Sequence, residues 1–188
     1  MEQYLQQSTT IDWGHPQILA KAEALRCLSG ARSGTARNCF EFVRDEILHS
    51  GDHQAGPVTC RASEVLQAGT GFCFGKSHLL AALLRANGLH AGLCYQRLLI
   101  GEESGRFCLH GLNAVFLPAY GWYRVDPRGN KTGITCEFVP PQERLAYMPS
   151  QTGEQDLPDI YADPLPQVIE ALEAHDTVVD LESCLPDV

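Results

Sequence analysis

The chain has 188 residues, 44% of them hydrophobic and 20% charged, and a formal net charge of −9 at pH 7. This length suits one domain with a hydrophobic core, and the composition is typical of a folded soluble protein. The negative charge disfavours nucleic acid and anionic membranes as partners, because both select for a basic surface.

The N-terminal stretch and the apolar runs bear on the compartment. The start "MEQYLQQSTTIDWGHP" lacks the basic beginning and apolar core of a signal peptide. The longest apolar run, "LLAALL", is far too short to cross a bilayer. We therefore expect a cytoplasmic protein with reduced thiols. Its eight cysteines form no C-x-x-C pair, which disfavours a zinc site, and no cofactor is predicted.

The first half of the chain has helical patterning, because its apolar residues recur three and four positions apart. Glycines follow several of these segments and predict where the helices end. The predicted helices cover 16–29, 35–49, the segment "RASEVLQA" before Gly69, and "KSHLLAALLRANG" after Cys73.

The second half changes to strand patterning. The segments 91–100, 110–117 and 121–126 predict strands, and the short connection between the last two predicts a hairpin. Residues 133–138 are a candidate fourth strand, and 165–175 predict a last helix. Helices first and an antiparallel sheet second predict an α+β fold.

Cys73 stands in "GTGFCFGKSHLL", between two aromatic residues and directly before the long predicted helix. A helix that begins at a cysteine directs free backbone N–H groups and the positive end of its dipole at the sulfur, which favours the nucleophilic thiolate. Gly69 and Gly71 permit a tight entry turn. Gly75 costs roughly 1 kcal/mol relative to alanine inside a helix. This context favours a reactive thiol over a packing residue.

A nucleophilic cysteine needs a base, and the base needs an orienting group. His110 opens a strand of the following sheet and could reach the sulfur, whereas His78 points to another side of the cysteine's own helix. Asp126 ends the partner strand, roughly opposite residue 113 and one diagonal step from His110. A solvated His110 and a plain turn at "DPRGN" are the alternatives. The histidines in loops or at helix ends, where exposure is usual, are His15, His49, His53 and His175.

Three segments together, "GFCFGKSHLLAALLRANGLHA", "LHGLNAVFL" and "GWYRVDPRGN", resemble the bacterial transglutaminase-like superfamily of papain-like thiol enzymes. The resemblance covers 12–138 and implies N-terminal helices packed on an antiparallel sheet. It departs at "HGLNAVF", where the family more often has H-A-W-x-E-V; this leaves the three candidate residues in place, but the resemblance does not extend to the usual acyl-acceptor surface. We expect one domain over 1–188, with that core followed by an acidic, proline-rich extension at 139–188.

The resemblance implies acyl transfer by Cys73, His110 and Asp126. Cys73 would attack an amide or ester carbonyl to give a thioester, His110 would move the proton, and Asp126 would orient His110. The backbone N–H of Cys73 is the first expected oxyanion donor, and Gln67 echoes the oxyanion glutamine of papain-like proteases. Peptide or protein amides are the expected substrates. Water as acceptor gives a protease or amidase, and an amine gives a transglutaminase.

Two other functions remain open at this point. One is a binding module with the same fold, although a binding module has no need to keep Cys73, His110 and Asp126 together. The other is an acyl-CoA-dependent N-acyltransferase like the arylamine acetyltransferases, whose Arg-Gly-Gly segment before the cysteine is missing from "AGTGFC". Loops 49–57 and 101–108 are expected to line the pocket. The extension is expected to wrap back on the core, cover the cleft or bind a partner. Substrate identity and oligomeric state are not predicted.

Overall fold

The computed structural model describes residues 1–54, 56–101 and 105–188. After a 3₁₀ turn at Glu2–Leu5, the helices are α1 (Pro16–Ala24), α2 (Arg32–Glu46), α3 (Ser50–His53), α4 (Ala62–Ala68), α5 (Cys73–Ala86), α6 (Pro166–Glu173) and α7 (Val178–Ser183). The strands are β1 (Leu48–His49), β2 (Thr70–Gly71), β3 (Ala91–Leu99), β4 (Phe107–Leu117), β5 (Gly121–Val125), β6 (Glu137–Val139), β7 (Gln142–Arg144) and β8 (Gln155–Asp156).

The main sheet of the described residues is antiparallel, with the strand order β5-β4-β3-β8. β4 pairs with β3 along its whole length, from Leu99 opposite Phe107 to Ala91 opposite Val115. β5 covers only residues 113–117 of β4. The half of β4 that carries His110 therefore extends beyond the end of β5.

Helix α5 forms the centre of the hydrophobic core. Every residue from Cys73 to Arg85 is buried, because α1, α2 and α4 pack on it from one side while β3 and β4 pack on it from the other. Its leucines and alanines point in all directions around the axis, as expected for a helix enclosed on every side. This packing fixes the start of α5 relative to β4.

The structure confirms the α+β fold, with several shifted boundaries. The first helix ends at Ala24, short of the predicted residue 29. The fourth strand predicted at 133–138 is wrong in its placement, because β6 pairs with β7 in a separate small sheet and β8 is the strand that joins β3. The segment 49–57, predicted as a loop, begins with the last residue of β1 and contains the short helix α3.

The region after residue 138 wraps back on the core. Val168 and Leu172 of α6 and Leu181 of α7 are buried in the same hydrophobic cluster as α5. The chain then leaves α7 and runs to β4, where the backbone N–H of Leu109 donates to Pro186 O at 2.7 Å. Among the described residues, no helix has the length and apolar character needed to cross a membrane.

Candidate active site

Cys73 is the first residue of α5 and is only 3% exposed. The turn before it is held by β2, which pairs in parallel with β1 so that Gly71 lies opposite His49. Gly75 is required by close packing, since a Cβ there would lie 3.0 Å from the carbonyl oxygen of Thr59. The sulfur is therefore presented from a tightly packed helix start.

Gly111 explains how β4 approaches the start of α5. A Cβ at Gly111 would lie 2.8 Å from Cδ1 and 3.3 Å from Cα of Phe74, the residue after Cys73. The strand is thus in van der Waals contact with the first turn of the helix. His110 is the residue before Gly111 on β4. His110 and Cys73 line the same cavity, which has a volume of about 530 Å³.

His110 is bound to Asp126, and both side chains are buried. His110 Nε2 donates to Asp126 Oδ2 at 2.8 Å, which leaves Nδ1 as the ring nitrogen available to Cys73. Asp126 also accepts from the backbone N–H groups of Arg128 and Ala146, each at 3.1 Å. The sequence prediction placed Asp126 opposite residue 113, but Val125 occupies that position and Asp126 lies one residue further on.

The electrostatics of this pair favour a charged imidazolium. Burial acts to lower the pKa of His110, but the carboxylate of Asp126 and a hydrogen bond with the Cys73 thiol outweigh it and raise the pKa to about 10. Burial acts to raise the pKa of Asp126, but His110 and the two backbone donors lower it overall. A protonated His110 next to a thiol stabilises the thiolate.

A second polar group also lines the cavity. The sequence suggested acidic partners for Arg128 but did not place this group at the site. Arg128 donates from both terminal nitrogens to the carboxylate of Asp52, with the NH2 contact at 2.7 Å. Lys131 Nζ donates to the same carboxylate at 2.6 Å. Arg128 Nε donates to the hydroxyl of Tyr147, whose ring meets the His110 ring edge-on with 5.0 Å between centroids. Asp52 lies more than 70 positions from Arg128 and Lys131, so no local pattern indicates that they meet.

His49 is the clearest departure from the sequence expectation. It was grouped with histidines that are usually exposed, but it is only 8% exposed and lines the Cys73 cavity. Burial, assisted by the charge of Arg128, lowers the pKa of His49 to about 3. The imidazole is therefore neutral in the folded protein. Its place in a two-residue strand directly before the polar "SGDH" gave no signal of burial.

Gln67, the other expected oxyanion donor, is exposed on α4. It lies beside Pro57 and Glu64 at a surface pocket that contains neither Cys73 nor His110. We therefore leave Gln67 out of the site. His78 is fully buried and bound through Nδ1 to Cys60 O at 2.8 Å, away from the sulfur. In the part of the chain that the structure describes, no cluster of His, Cys, Asp and Glu is arranged to hold a metal ion.

The remaining walls of the cavity combine apolar side chains with the carboxylates of Glu154 and Glu182. Leu99, Met148 and Leu185 line it, and Leu185 comes from the last residues of the chain. Both loops that were expected to contribute do so through described residues: His49, Gly51 and Asp52 of the first loop, and Cys108 of the second. Residue 55 and residues 102–104 of those loops lie outside the described residues.

A family model also matches this chain. The model of the transglutaminase-like superfamily matches residues 22–127, more than half of the chain. The chain belongs to the transglutaminase-like superfamily. The match includes Cys73, His110 and Asp126 within its limits. A comparison with curated protein sequences gives no match.

Solved structures resemble this transglutaminase-like chain at low sequence identity. A "putative cysteine protease" from Cytophaga hutchinsonii superposes with a TM-score of 0.52 at 13% identity, over 66% of this chain and 40% of that one. The periplasmic domain of TgpA from Pseudomonas aeruginosa gives 0.49 at 19% identity, over 66% and 45%. Its ethylmercury-bound form gives 0.48 at 20% identity, over 66% and 46%. The chain thus spans less than half the length of each of these structures.

Proposed function

We propose that this protein is a thiol enzyme that transfers acyl groups, with Cys73 as nucleophile, His110 as acid and base, and Asp126 as the orienting group. One observation carries the proposal. His110 donates to the buried carboxylate of Asp126 at 2.8 Å in the cavity that Cys73 also lines. A buried carboxylate on one imidazole nitrogen holds the ring with its other nitrogen directed at the nucleophile.

The reaction follows from these three roles. His110 takes the thiol proton, and the Cys73 thiolate attacks the carbonyl carbon of an amide, forming an S–C bond. The tetrahedral oxyanion is stabilised by the backbone N–H of Cys73 at the start of α5. When the C–N bond breaks, the His110 imidazolium gives its proton to the leaving amine. The thioester is then opened by water, which gives a carboxylic acid, or by a second amine, which gives a new amide; His110 takes the acceptor's proton and returns it to the thiol.

We propose peptide or protein amides as substrates, because the cavity brings apolar side chains and polar groups together around Cys73 and His110. Hydrolysis and transamidation differ only in the acceptor that reaches the thioester. All eight cysteines are free thiols in the structure, which suits a reducing compartment such as the cytoplasm. We also propose that residues 1–188 form one domain, since α6 and α7 bury apolar residues against the same core as α5.

Alkylation of Cys73 by iodoacetamide tests the proposal. Trypsin cleavage after Arg61 and Lys76 gives the peptide 62–76, in which Cys73 is the only cysteine. Labelling of Cys73 is therefore measured separately from that of the other thiols. We expect rapid labelling of wild-type Cys73 below about pH 8, where an unassisted thiol is largely protonated. His110→Ala should abolish this low-pH labelling. Surface Cys27 and Cys184 serve as internal references, because hydrogen bonds with Ser29 and Ser183, respectively, lower the pKa of each thiol independently of His110.

The outcomes separate the proposed enzyme from the alternatives. Labelling of Cys73 that is no faster than that of buried thiols such as Cys39, whose pKa burial raises to about 12, would contradict the proposal and leave a binding module. Incubation with acetyl-CoA addresses the acyltransferase, since an acetyl adduct on the peptide 62–76 would identify acyl-CoA as the donor. Peptide amides that form an adduct in its place would support the amide-directed enzyme.

A further inference from the structure

The oxyanion of the proposed reaction has a second possible donor in the cavity. We propose that His49 is a catalytic residue that donates its Nε2–H to the oxyanion, together with the backbone N–H of Cys73. This inference rests on the proposed function of Cys73. It assigns to His49 the role that the sequence suggested for Gln67, which lies on another surface of the molecule.

Backbone pairing brings His49 to the helix start. β1 and β2 pair in parallel with His49 opposite Gly71, two residues before Cys73. The imidazole packs against Phe72, the N-cap residue of α5, with 5.1 Å between ring centroids. His49 and Cys73 line one cavity. The imidazole is thus anchored on the side of the cavity where the free N–H groups of α5 begin.

The local hydrogen bond selects the tautomer of His49. The backbone N–H of Asp52 donates to His49 Nδ1 at 3.3 Å, so Nδ1 carries the lone pair. A neutral imidazole with an accepting Nδ1 carries its proton on Nε2. The Asp52 carboxylate is farther from Nδ1, at 3.7 Å, and is bound by Arg128 and Lys131. Burial keeps the imidazole neutral by lowering its pKa to about 3.

Nε2 of His49 has no hydrogen-bond partner among the residues that the structure describes. Arg128 and Lys131 bind Asp52, and the Tyr147 hydroxyl accepts from Arg128 Nε. The imidazole of His49, by contrast, packs on the N-cap residue of α5. A carbonyl oxygen near the start of α5 therefore lies on the side of the cavity where the Nε2–H of His49 can donate to it.

In this role His49 donates a hydrogen bond and transfers no proton. As the Cys73 thiolate forms its S–C bond, the carbonyl electron pair moves to oxygen, and the Nε2–H of His49 bonds to that oxygen. The proton stays on His49, and the bond weakens when the carbonyl re-forms. Removal of one oxyanion donor typically lowers the rate of acyl transfer by about 10²–10³-fold.

Two substitutions of His49 distinguish its proposed role as a hydrogen-bond donor from its role as the N-cap of α3. His49 is the N-cap of α3, and asparagine is a preferred N-cap that keeps an acceptor for the Asp52 N–H. His49→Asn therefore preserves the cap and removes the donor at the Nε2 position. His49→Gln has an amide N–H that reaches that position. His53→Asn, on the same short helix but exposed and outside the Cys73 cavity, is the matched control.

Two measurements on the full chain test the inference. Acylation of Cys73 by 4-nitrophenyl acetate requires an oxyanion and releases nitrophenolate as the S–C bond forms and the C–O bond breaks. Alkylation by iodoacetamide is a substitution at carbon with no oxyanion. We expect His49→Asn to acylate about 10²–10³-fold more slowly, with alkylation and the midpoint of thermal unfolding close to wild type. His49→Gln should recover at least part of the lost rate.

Each contrary result has its own meaning. His49→Asn that acylates like wild type, or that loses alkylation by the same factor as acylation, would overturn the role of His49 as an oxyanion donor. Failure of wild-type Cys73 to label below about pH 8 would instead overturn the proposed thiol chemistry itself. A loss shared by His53→Asn would also contradict the inference, because that side chain does not line the cavity.

Discussion

The two sides of the cavity are built in different ways. The inner wall, defined as Cys73, His110 and Asp126, comes from neighbouring core elements, and its side chains are 3%, 5% and 0% exposed. The outer wall, defined as α3 and the C-terminal segment 182–187, is held to the rest of the molecule by ion pairs and hydrogen bonds, several of which involve partly exposed groups. Arg97 and Asp187, which hold the end of that segment, are 21% and 32% exposed.

The inner wall therefore determines the reaction, and the outer wall determines which molecules reach Cys73. Buried hydrogen-bonded groups keep one geometry, because leaving a partner unsatisfied costs about 1–3 kcal/mol or more. Ion pairs near water contribute about 0–1 kcal/mol and exchange readily. Disruption of the inner wall should therefore abolish the reaction, whereas disruption of the outer wall should change which molecules reach Cys73.

The largest expected effect is that of Asp126→Asn. Without the carboxylate, burial dominates and lowers the pKa of His110, so the imidazolium no longer stabilises the thiolate at neutral pH. Low-pH alkylation of Cys73 should disappear, and acylation by 4-nitrophenyl acetate should fall by about 10³–10⁴-fold, as in comparable triads. Both rates are measured on the peptide 62–76 as a function of pH.

Asp45→Asn is the control for this change, because Asp45 is 46% exposed, pairs with Arg44 and does not line the Cys73 cavity. It should leave both rates unchanged. If Asp126→Asn retained wild-type alkylation at low pH, the carboxylate would not be the group that charges His110. The inner wall would then be a packing arrangement alone.

A smaller loss is expected from Gly111→Ala, which alters the spacing of the inner wall without removing a chemical group. The new methyl would lie 2.8 Å from Phe74 Cδ1, so β4 and α5 must move apart. Misplacement of reacting groups by about 1 Å lowers rates on the order of 10²-fold. The overpacked core should also lose about 1–3 kcal/mol of unfolding free energy. Chemical denaturation and the acylation rate measure the two effects on one sample.

Gly111→Ala with full acylation would show that the contact between β4 and α5 does not set the position of His110. A loss of stability without a loss of rate would have the same meaning. The two quantities must fall together if the close approach at Gly111 aligns His110 with Cys73.

The inner wall was predictable from sequence because each part has a local signal. A glycine-flanked cysteine preceded a strongly helical run, and His110 and Asp126 lay on the two strands of a predicted hairpin. The structure agrees on the hairpin and moves Asp126 by one residue. The assignment of the three residues to catalysis stays a prediction.

The outer wall had no such signal. Arg128 and Asp52 lie 76 positions apart, and Arg97 and Asp187 lie 90 apart, so neither pair follows from periodicity or turn chemistry. His49 was assigned to the surface because its burial depends on the parallel pairing of two-residue strands. Strands this short leave almost no pattern in the sequence.

The smallest expected effect concerns the C-terminal segment 182–187, which spans the cavity. On one side Glu182 accepts from Gln54 Nε2 at 3.0 Å. On the other side, Pro186 O accepts from the backbone N–H of Leu109, which is the residue before His110 on β4. Leu185, between these contacts, lines the cavity. The segment therefore limits the approach of large molecules to Cys73 more than that of small ones.

Arg97→Gln should loosen this segment, because it removes two hydrogen bonds of 2.7 Å from Arg97 to the carboxylate of Asp187. The pair is partly exposed, so we expect its loss to weaken the closed position of the segment only slightly, with an opening of up to about fivefold. Labelling of Cys73 by a maleimide bearing a long polyethylene glycol chain should rise by that factor, while labelling by iodoacetamide changes little. Loss of the unmodified peptide 62–76 measures both.

Arg124→Gln is the matched control, since Arg124 is similarly exposed and pairs with Glu143 and Asp156 outside the cavity. Asp187→Asn should reproduce the effect of Arg97→Gln, because it weakens the same contact from the other partner. Equal acceleration of the small and the large reagent would mean that the substitution disturbed Cys73 itself. A large reagent unaffected by either substitution would mean that the segment does not restrict access, and the outer wall would then be as fixed as the inner one.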